Sequence, residues 1–182
     1  MAAARELFAD RDFDEVSTSD VLAHAGVSRG AMYHHFESKT ELFRAAWEAS
    51  ERALMARLAG RAEGGPGGPY EQLVAGCRAY LDECARSREL QRLGLRQSRA
   101  VLGWEGWSEA AADLGIGMME GGVRAAADAG ELATANPSVT ARLVLAALIE
   151  AGLLIATAPD PAARFREVEP EMTRFLAGLK SG

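Results

Sequence analysis

The stretch "AHAGVSRGAMYHHFESKTELF", Ala23 to Phe43, sets two short apolar patterns on either side of one glycine. Just upstream, Ser17 and Asp20 have the spacing of a capping box, in which each side chain accepts a hydrogen bond from the other residue's amide. Gly26 supplies the positive φ that ends such a helix in a tight turn, and Ser28 is predicted to cap the next helix. Two helices joined through a glycine-containing turn form a helix-turn-helix unit.

The front of the second helix is slim, because Gly30 and Ala31 are small and only Arg29 projects far. Such a helix can bring its N-terminal end to the base edges of a DNA major groove. Tyr33 and His34 lie one turn further on, where side chains would meet phosphates. The alternative is a plain helical hairpin in which these two side chains cover the edges of a core.

A third helical segment follows, and Ser38 with Glu41 predicts a second capping box at its start. Lys39 lies on its first turn, where exposed amides also favour an anion. The helices are expected to share a small core, whose predicted members are Leu7, Phe8, Val21, Ala25, Val27, Met32 and Phe36.

The segment "TSDVLAHAGVSRGAMYHHFESKTELF" resembles the DNA-binding signature of the tetracycline-repressor (TetR) family. The family pattern A-G-V-S, then G-x-x-Y-x-H-F, then S-K-x-x-L is matched by Ala25 to Ser28, Gly30, Tyr33, His35, Phe36, Ser38, Lys39 and Leu42. The match covers roughly residues 3 to 47 and is specific, because several spacings hold together. It implies an all-helical homodimer with a three-helix DNA-binding domain and a larger domain that binds a small molecule and dimerises.

The resemblance also implies a role for each matched residue. Base or groove contacts would come from Arg29, Gly30 and Ala31, and phosphate contacts from Thr18, Ser28, Tyr33, His34 and Lys39. Two departures stand out. Leu22 replaces a small alanine where the two helices cross, which predicts a wider crossing. The chain also starts almost directly on the first helix, so the contacts of a basic arm are expected to be absent and the affinity for DNA to be lower.

The whole chain reads as all-α, with no period-2 alternation of strands and about nine helices. We expect a helix-turn-helix domain over residues 1–46 and a ligand-binding and dimerisation domain over 47–182. Breaks between helices are predicted at "GGPGGP" (Gly64 to Pro69), at "VLGWEGW" around Gly103, at "NPS" (Asn136 to Ser138) and at "APDP" (Ala158 to Pro161).

Charge and composition narrow the class of protein. The net charge of −6 argues against non-specific nucleic-acid binding by the whole molecule but permits a local binding surface. The longest apolar run, Leu143 to Ala158, contains Glu150 and predicts a buried helix rather than a membrane span. Two cysteines and no visible signal peptide are typical of a cytoplasmic protein.

The middle helices carry aromatic, sulfur and methionine side chains that suit an adaptable apolar cavity, although such residues also fill ordinary cores. The predicted ligand-binding residues are Tyr80, Cys84, Trp104, Trp107 and Met118. Trp104 and Trp107 are the strongest candidates, because they flank glycines in a predicted break rather than a helix. Cys77 and Cys84, seven residues apart on one helical face, are candidate oxidant sensors or, more commonly, buried apolar residues.

The last two long helices are apolar over more than one face and would leave a patch too large for a monomer. We predict that they pair with their two-fold mates through Leu143, Ala147, Leu154, Phe165, Met172 and Phe175, with Gly152 and alanines allowing close approach. Glu150 is expected to lie at a rim or to meet a cation or a ligand, since a buried carboxylate is costly without a partner.

Other chemistries find little support in the sequence. "GIGMMEG", Gly115 to Gly121, lacks the spacing and the preceding strand of a dinucleotide loop. No metal-ligand spacing and no catalytic arrangement is recognisable, so neither a cofactor, a metal nor an enzyme is expected. The sequence predicts a repressor released from a palindromic operator by a small apolar effector. The alternatives are a helical DNA-binding dimer without an effector, and a dimerisation module whose DNA-binding face is vestigial.

Overall fold

A computed structural model describes residues 1–62, 67–111 and 115–181, without the side chains at 33, 61, 62 and 109–111. These ranges hold nine α-helices and no strand, which confirms the all-α prediction. The helices are α1 (Ala2–Asp10), α2 (Thr18–Ala25), α3 (Arg29–His35), α4 (Lys39–Ala62), α5 (Pro69–Arg86), α6 (Ser98–Ala111), α7 (Gly117–Asp128), α8 (Pro137–Ala156) and α9 (Pro161–Ala177). A 3-10 turn, Phe13–Glu15, joins α1 to α2, and a π-helical segment, Leu90–Gln97, precedes α6.

The caps of α2 and α3 form as the sequence predicts. Ser17 Oγ accepts from the amide of Asp20 at 3.0 Å, and the Asp20 carboxylate accepts from the amide of Ser17 at 2.9 Å. Gly26, with φ 65° and ψ 30°, ends α2 in the left-handed region. Ser28 Oγ then accepts from the amide of Ala31 at 3.3 Å. Each bond satisfies an amide that the first turn of a helix leaves unpaired.

Only one of the two hydrogen bonds of the second predicted capping box forms. Ser38 Oγ accepts from the amide of Glu41 at 3.1 Å, but the Glu41 carboxylate accepts from the amide of Glu37 at 2.7 Å instead of the amide of Ser38. Helix α4 then runs without interruption for 24 residues, through the predicted domain boundary at residue 46.

Two hydrophobic cores flank α4. The N-terminal core contains Phe8, Val16, Val21, Met32, Phe43 and Trp47, and it takes in Leu93 and Trp107 from the C-terminal part of the chain. The rings of Phe8 and Phe43 meet edge to face, with centroids 5.0 Å apart. The C-terminal core is built mainly from α4, α5, α7, α8 and α9, and it buries one face of α5, formed by Leu73, Cys77, Tyr80, Leu81 and Cys84.

Two predicted members of the N-terminal core lie outside it. Ala25 is exposed, and Val27 keeps 48% of its surface exposed. Both predictions were wrong because the two residues flank the Gly26 turn, where the chain has left the buried face of α2.

Helix α8 packs against α5, α7 and α9. A β-carbon on Gly152 would meet Cys84 Sγ at 3.0 Å and Tyr80 Cε1 at 3.1 Å. This glycine therefore allows close approach of α5 within the protomer, and the prediction that it serves a partner was wrong. By length and composition α8 alone among the described helices could cross a membrane, but part of its surface is buried in the C-terminal core.

The predicted breaks begin or interrupt helices. Asn136 and Asp160 cap α8 and α9, accepting from the amides of Val139 at 3.2 Å and Ala163 at 2.9 Å. Gly103, with φ 71°, interrupts α6, whereas the tryptophans on either side of Gly106 are helical. Of "GGPGGP", Gly64 to Pro66 lies outside the described residues, and Gly68 and Pro69 start α5.

Gly26→Ala should lower the free energy of unfolding by about 1 kcal/mol, because alanine is strained in the left-handed region. Nothing lies within 4 Å of a β-carbon built at Gly26, so the penalty is purely conformational. Gly30→Ala is the matched control, since its β-carbon is also unobstructed and its φ is not positive. Chemical denaturation of both variants checks this; equal stabilities would contradict it.

Candidate nucleic-acid interface and ligand cavity

The start of α3 is exposed. Ser28, Arg29, Gly30, Ala31 and His34 all lie on the surface, while the side chain of Tyr33 falls outside the described residues. The small residues leave room around the helix N-terminus, which suits the approach to a groove expected from the sequence. The alternative of a hairpin with His34 against a core is not favoured by this exposure.

Lys39 and Thr18, the other two predicted phosphate-contacting residues, are both half-buried. The Lys39 ammonium donates to the Phe13 carbonyl at 2.9 Å and lies 4.1 Å from the centroid of the Phe13 ring. Lys39 therefore links the 3-10 turn to the start of α4, while keeping part of its surface toward solvent.

Two acidic residues at the end of α1 and just after it pair with arginines of the C-terminal part of the molecule. Asp10 pairs with Arg88 at 3.5 Å, and Asp12 pairs with Arg92 at 2.5 Å. Near them, the Arg5 guanidinium donates to Glu89 at 2.6 Å. These contacts pair the two carboxylates with arginines just before and within the π-helical segment.

A cavity of about 510 Å³ lies between α4, α5, α6, α7, α8 and the π-helical segment. Three of the five predicted ligand residues, Tyr80, Trp107 and Met118, are on its wall. The rest of the wall includes Trp47, Glu51, Met55, Leu58, Gln72, Leu73, Cys77, Gly94, Leu95, Met119, Leu145, Leu148 and Ile149.

The other two predicted ligand residues are not on the wall. Cys84 is fully buried, wedged between Tyr80 and the α8 backbone at Gly152. Trp104 is 69% exposed, and its ring centroid is 5.7 Å from that of Trp107. The predictions were wrong for geometric reasons: Cys84 points into the α5–α8 contact, and Trp104, directly after the Gly103 break, points outward.

The two cysteines are both free and buried. Burial raises the pKa of the Cys77 thiol to about 12 and that of Cys84 to about 12. A thiol reacts with oxidants as the thiolate, so neither residue has the character of a sensor. The apolar role is favoured for both.

Glu51, which the sequence analysis missed, is the acidic group of the cavity wall. Burial raises the pKa of its carboxyl to about 7; the Trp47 indole N–H lowers it and the charge of Glu89 raises it further. Glu51 keeps some accessible surface because it faces the cavity. The available signal was its spacing: Trp47 and Met55, four residues to either side, are apolar and lie on the same helical face.

Gly94 makes room for this carboxylate. A β-carbon at Gly94 would stand 3.1 Å from Glu51 Oε1 and 2.7 Å from Leu90 Cδ1. The π-helical segment thus passes close to α4 at the point where Glu51 enters the cavity. From the same segment, Gln97 Nε2 donates to the Phe8 carbonyl at 2.9 Å, which connects the cavity wall to α1.

The predicted dimer residues differ in how exposed their side chains are. Leu143, Leu154 and Phe175 are 63%, 49% and 45% exposed, and Ala147 and Phe165 are half-buried. Met172 is only 6% exposed because it packs into the core of its own protomer, so its assignment to a dimer interface was wrong. Glu150 is exposed, in agreement with the expected rim position.

Comparisons with known proteins agree with this architecture. Residues 1–46 match the family model described as bacterial regulatory proteins, tetR family, and residues 70–179 match the tetracyclin repressor-like C-terminal domain. The chain belongs to the TetR family, whose members are DNA-binding transcriptional regulators.

Individual relatives extend the comparison. The transcriptional regulator AcrR of Shigella flexneri is 42% identical over 48 residues, which cover 26% of this chain and 22% of AcrR. The match therefore spans less than a quarter of that relative. A TetR-family regulator from Pectobacterium atrosepticum has a similar crystal structure, with a TM-score of 0.88, 31% identity and coverage of 100% of this chain and 92% of the other. The Bacillus subtilis regulator FadR, solved with stearoyl-CoA, shares the fold at a TM-score of 0.71 and 16% identity, over 94% and 95% of the two chains.

Glu51→Gln should stabilise the ligand-free protein at high pH. The folded protein holds a proton on Glu51 up to about pH 7, whereas an unfolded glutamate releases it near 4.5. Glu51 thus lowers the stability as the pH rises between these values and keeps it low above pH 7. The expected gain is about 2 to 3 kcal/mol at pH 8, vanishing below pH 4.5.

Denaturation at several pH values measures this gain. Glu48→Gln on the same helix is the control, because Glu48 pairs with Arg52 at 3.5 Å outside the cavity. A gain that is the same for both variants, or constant with pH, would show that Glu51 is not held in a costly environment.

Proposed function

We propose that this protein is a cytoplasmic transcriptional repressor, and not an enzyme, which binds a palindromic operator as a homodimer and is released by a small apolar effector. The observation that carries the proposal is helix α4. One uninterrupted helix begins next to the exposed α3, buries Phe43 and Trp47 in the N-terminal core, and forms the cavity wall with Glu51 and Met55.

DNA recognition is assigned to α3. Arg29 would reach base edges, Gly30 and Ala31 would allow close approach, and Thr18, Ser28, Tyr33, His34 and Lys39 would meet phosphates. In a two-fold dimer the two α3 helices would enter major grooves about 34–36 Å apart, or a multiple of that distance. The exposure of the start of α3 supports this role, as does the pairing of Asp10 and Asp12 with arginines of the C-terminal part.

The cavity supports a response to a ligand. Its size fits a small molecule, and its wall is mainly apolar. FadR, which shares the fold, was solved with stearoyl-CoA, so this architecture can hold a ligand. Trp47 and Trp107 belong to both the N-terminal core and the cavity wall. A ligand that displaces either residue would move the packing beneath α3, by an amount limited by its difference in affinity for the two states.

Homodimerisation is assigned to the exposed side of α8 and α9. Leu143 and Leu154 lie on one side of α8, and Phe175 is exposed on α9. Exposed leucine and phenylalanine side chains on neighbouring helices are typical of an interface between subunits. The two-fold pairing of these helices would bring the α3 tips of two protomers to one duplex.

Arg29→Ala should lower discrimination between operator and unrelated DNA by about 1–3 kcal/mol, because a base contact carries sequence information. Lys39→Ala should weaken binding to operator and to unrelated DNA about equally, because a phosphate contact carries no sequence information. Fluorescence anisotropy with operator and scrambled duplexes at several salt concentrations measures both effects. Arg124→Ala, an exposed arginine of α7, is the control. Unchanged binding by the Arg29 and Lys39 variants would contradict the assignment of α3.

Leu143→Glu and Leu154→Glu should convert a dimer into a monomer, because each buries an unpaired charge in the interface. Light scattering should then change from twice 19.4 kDa to 19.4 kDa. Val27→Glu is the matched control, since Val27 is also an exposed aliphatic residue but lies far along the chain, in the α2–α3 turn. A single-chain mass for the unmodified protein would rule out the dimer.

A further inference from the structure

The described wall of the cavity contains one acidic side chain, Glu51, and no basic one. Most of the remaining wall is formed by leucine, methionine and aromatic side chains. A carboxylate in such a place is costly, because the loss of water is not offset by a counter-charge. A cavity that bound only apolar molecules would gain nothing from this carboxylate.

The groups packed around Glu51 do not supply a counter-charge. From α4, the buried Nε1–H of Trp47 points to the same region without a hydrogen-bond partner of good geometry. From α5, Tyr80 and Cys84 stand nearby. Glu89, which follows α5 and is paired with Arg5, supplies no positive charge either. The π-helical segment passes close to Glu51 at Gly94, which carries no charge.

The basic groups of this region are engaged elsewhere. Arg99 lies 4.2 Å above the Trp107 ring, and Arg5 pairs with Glu89 at 2.6 Å. No ion pair among the described residues includes Glu51. The position of the missing positive charge therefore coincides with the cavity, where a bound molecule would lie.

We infer that the cavity selects an organic cation, an apolar molecule with one protonated amine that pairs with the Glu51 carboxylate. The apolar body would contact the leucine and methionine wall, and the rings of Trp47 and Tyr80 would present π-faces that also favour a cation. An anionic ligand would meet repulsion from the ionised Glu51. This inference rests on the proposed ligand response and names the chemical class of the effector.

Three probes of nearly equal size and shape separate the possibilities: biphenyl-4-ylmethylamine, biphenyl-4-ylmethanol and biphenyl-4-carboxylate. Isothermal titration calorimetry with the full chain at pH 8 should give the amine an affinity at least about tenfold higher than that of the alcohol, equivalent to one charge-assisted contact. The carboxylate should bind most weakly of the three.

The pH dependence adds a readout that a merely structural role would not change. The amine stays protonated from pH 6 to pH 8, while Glu51, with a pKa of about 7, changes from mainly neutral to mainly ionised. The affinity for the amine should therefore rise about tenfold over this range. The affinity for the alcohol should stay nearly constant.

Glu51→Gln should lower the affinity for the amine at pH 8 by at least about tenfold and remove its pH dependence, while binding of the alcohol stays within about threefold. Glu48→Gln should behave like the unmodified protein. Equal binding of amine and alcohol, tighter binding of the carboxylate, or an unaffected Glu51→Gln variant would overturn cation selection.

The outcomes also separate this inference from the broader proposal. If all three probes bind equally and each releases the protein from operator DNA, the cavity is an effector site without charge selection. If no probe binds while the operator is still bound, both the cation and the ligand response are wrong and only DNA recognition survives.

Discussion

The burial of the first half of α4 is the constraint on which the rest of the structure depends. Phe43 and Trp47 are almost completely inaccessible and join the N-terminal core, while the next turns of the same helix form the cavity wall. A close-packed interior does not stretch, so a displacement of α4 is felt in both cores. The helix-turn-helix unit is consequently packed onto the rest of the molecule rather than attached by a flexible linker.

The π-helical segment gives a second connection between the two halves. Gln97 donates to the Phe8 carbonyl at 2.9 Å, and ion pairs join Asp12 to Arg92 and Arg5 to Glu89. Partly exposed ion pairs of this kind contribute little stability individually. Their effect is to fix the orientation of α1, which packs on α4. At Gly94 the segment passes close to the Glu51 carboxylate, so the same element borders the cavity and holds α1.

The distribution of acidic side chains explains how a protein with net charge −6 can present a surface for DNA. Asp10 and Asp12 are directed to arginines of the C-terminal part, and the first residues of α3 are small or basic. Glu51 differs from Asp10 and Asp12 because it has no arginine partner among the described residues, and burial raises the pKa of its carboxyl to about 7. A carboxyl group whose pKa is raised by burial lowers the stability of the folded protein. Such groups are typical of functional sites rather than of cores.

The sequence by itself determined the local features: the capping box of Ser17, the left-handed turn at Gly26, the all-α class and the candidate DNA-contacting tip. These depend on hydrogen bonds and dihedral angles within a few residues, so short patterns report them directly. Only the tertiary structure decided which residues are buried in a core, which face solvent and which line the cavity. Met172 is buried in the core of its own protomer, Trp104 is exposed, and Glu51 lies on the wall of a cavity that six parts of the chain line. Helical periodicity shows that a face is apolar, but burial is set by the partners packed on it, which lie far away in the sequence.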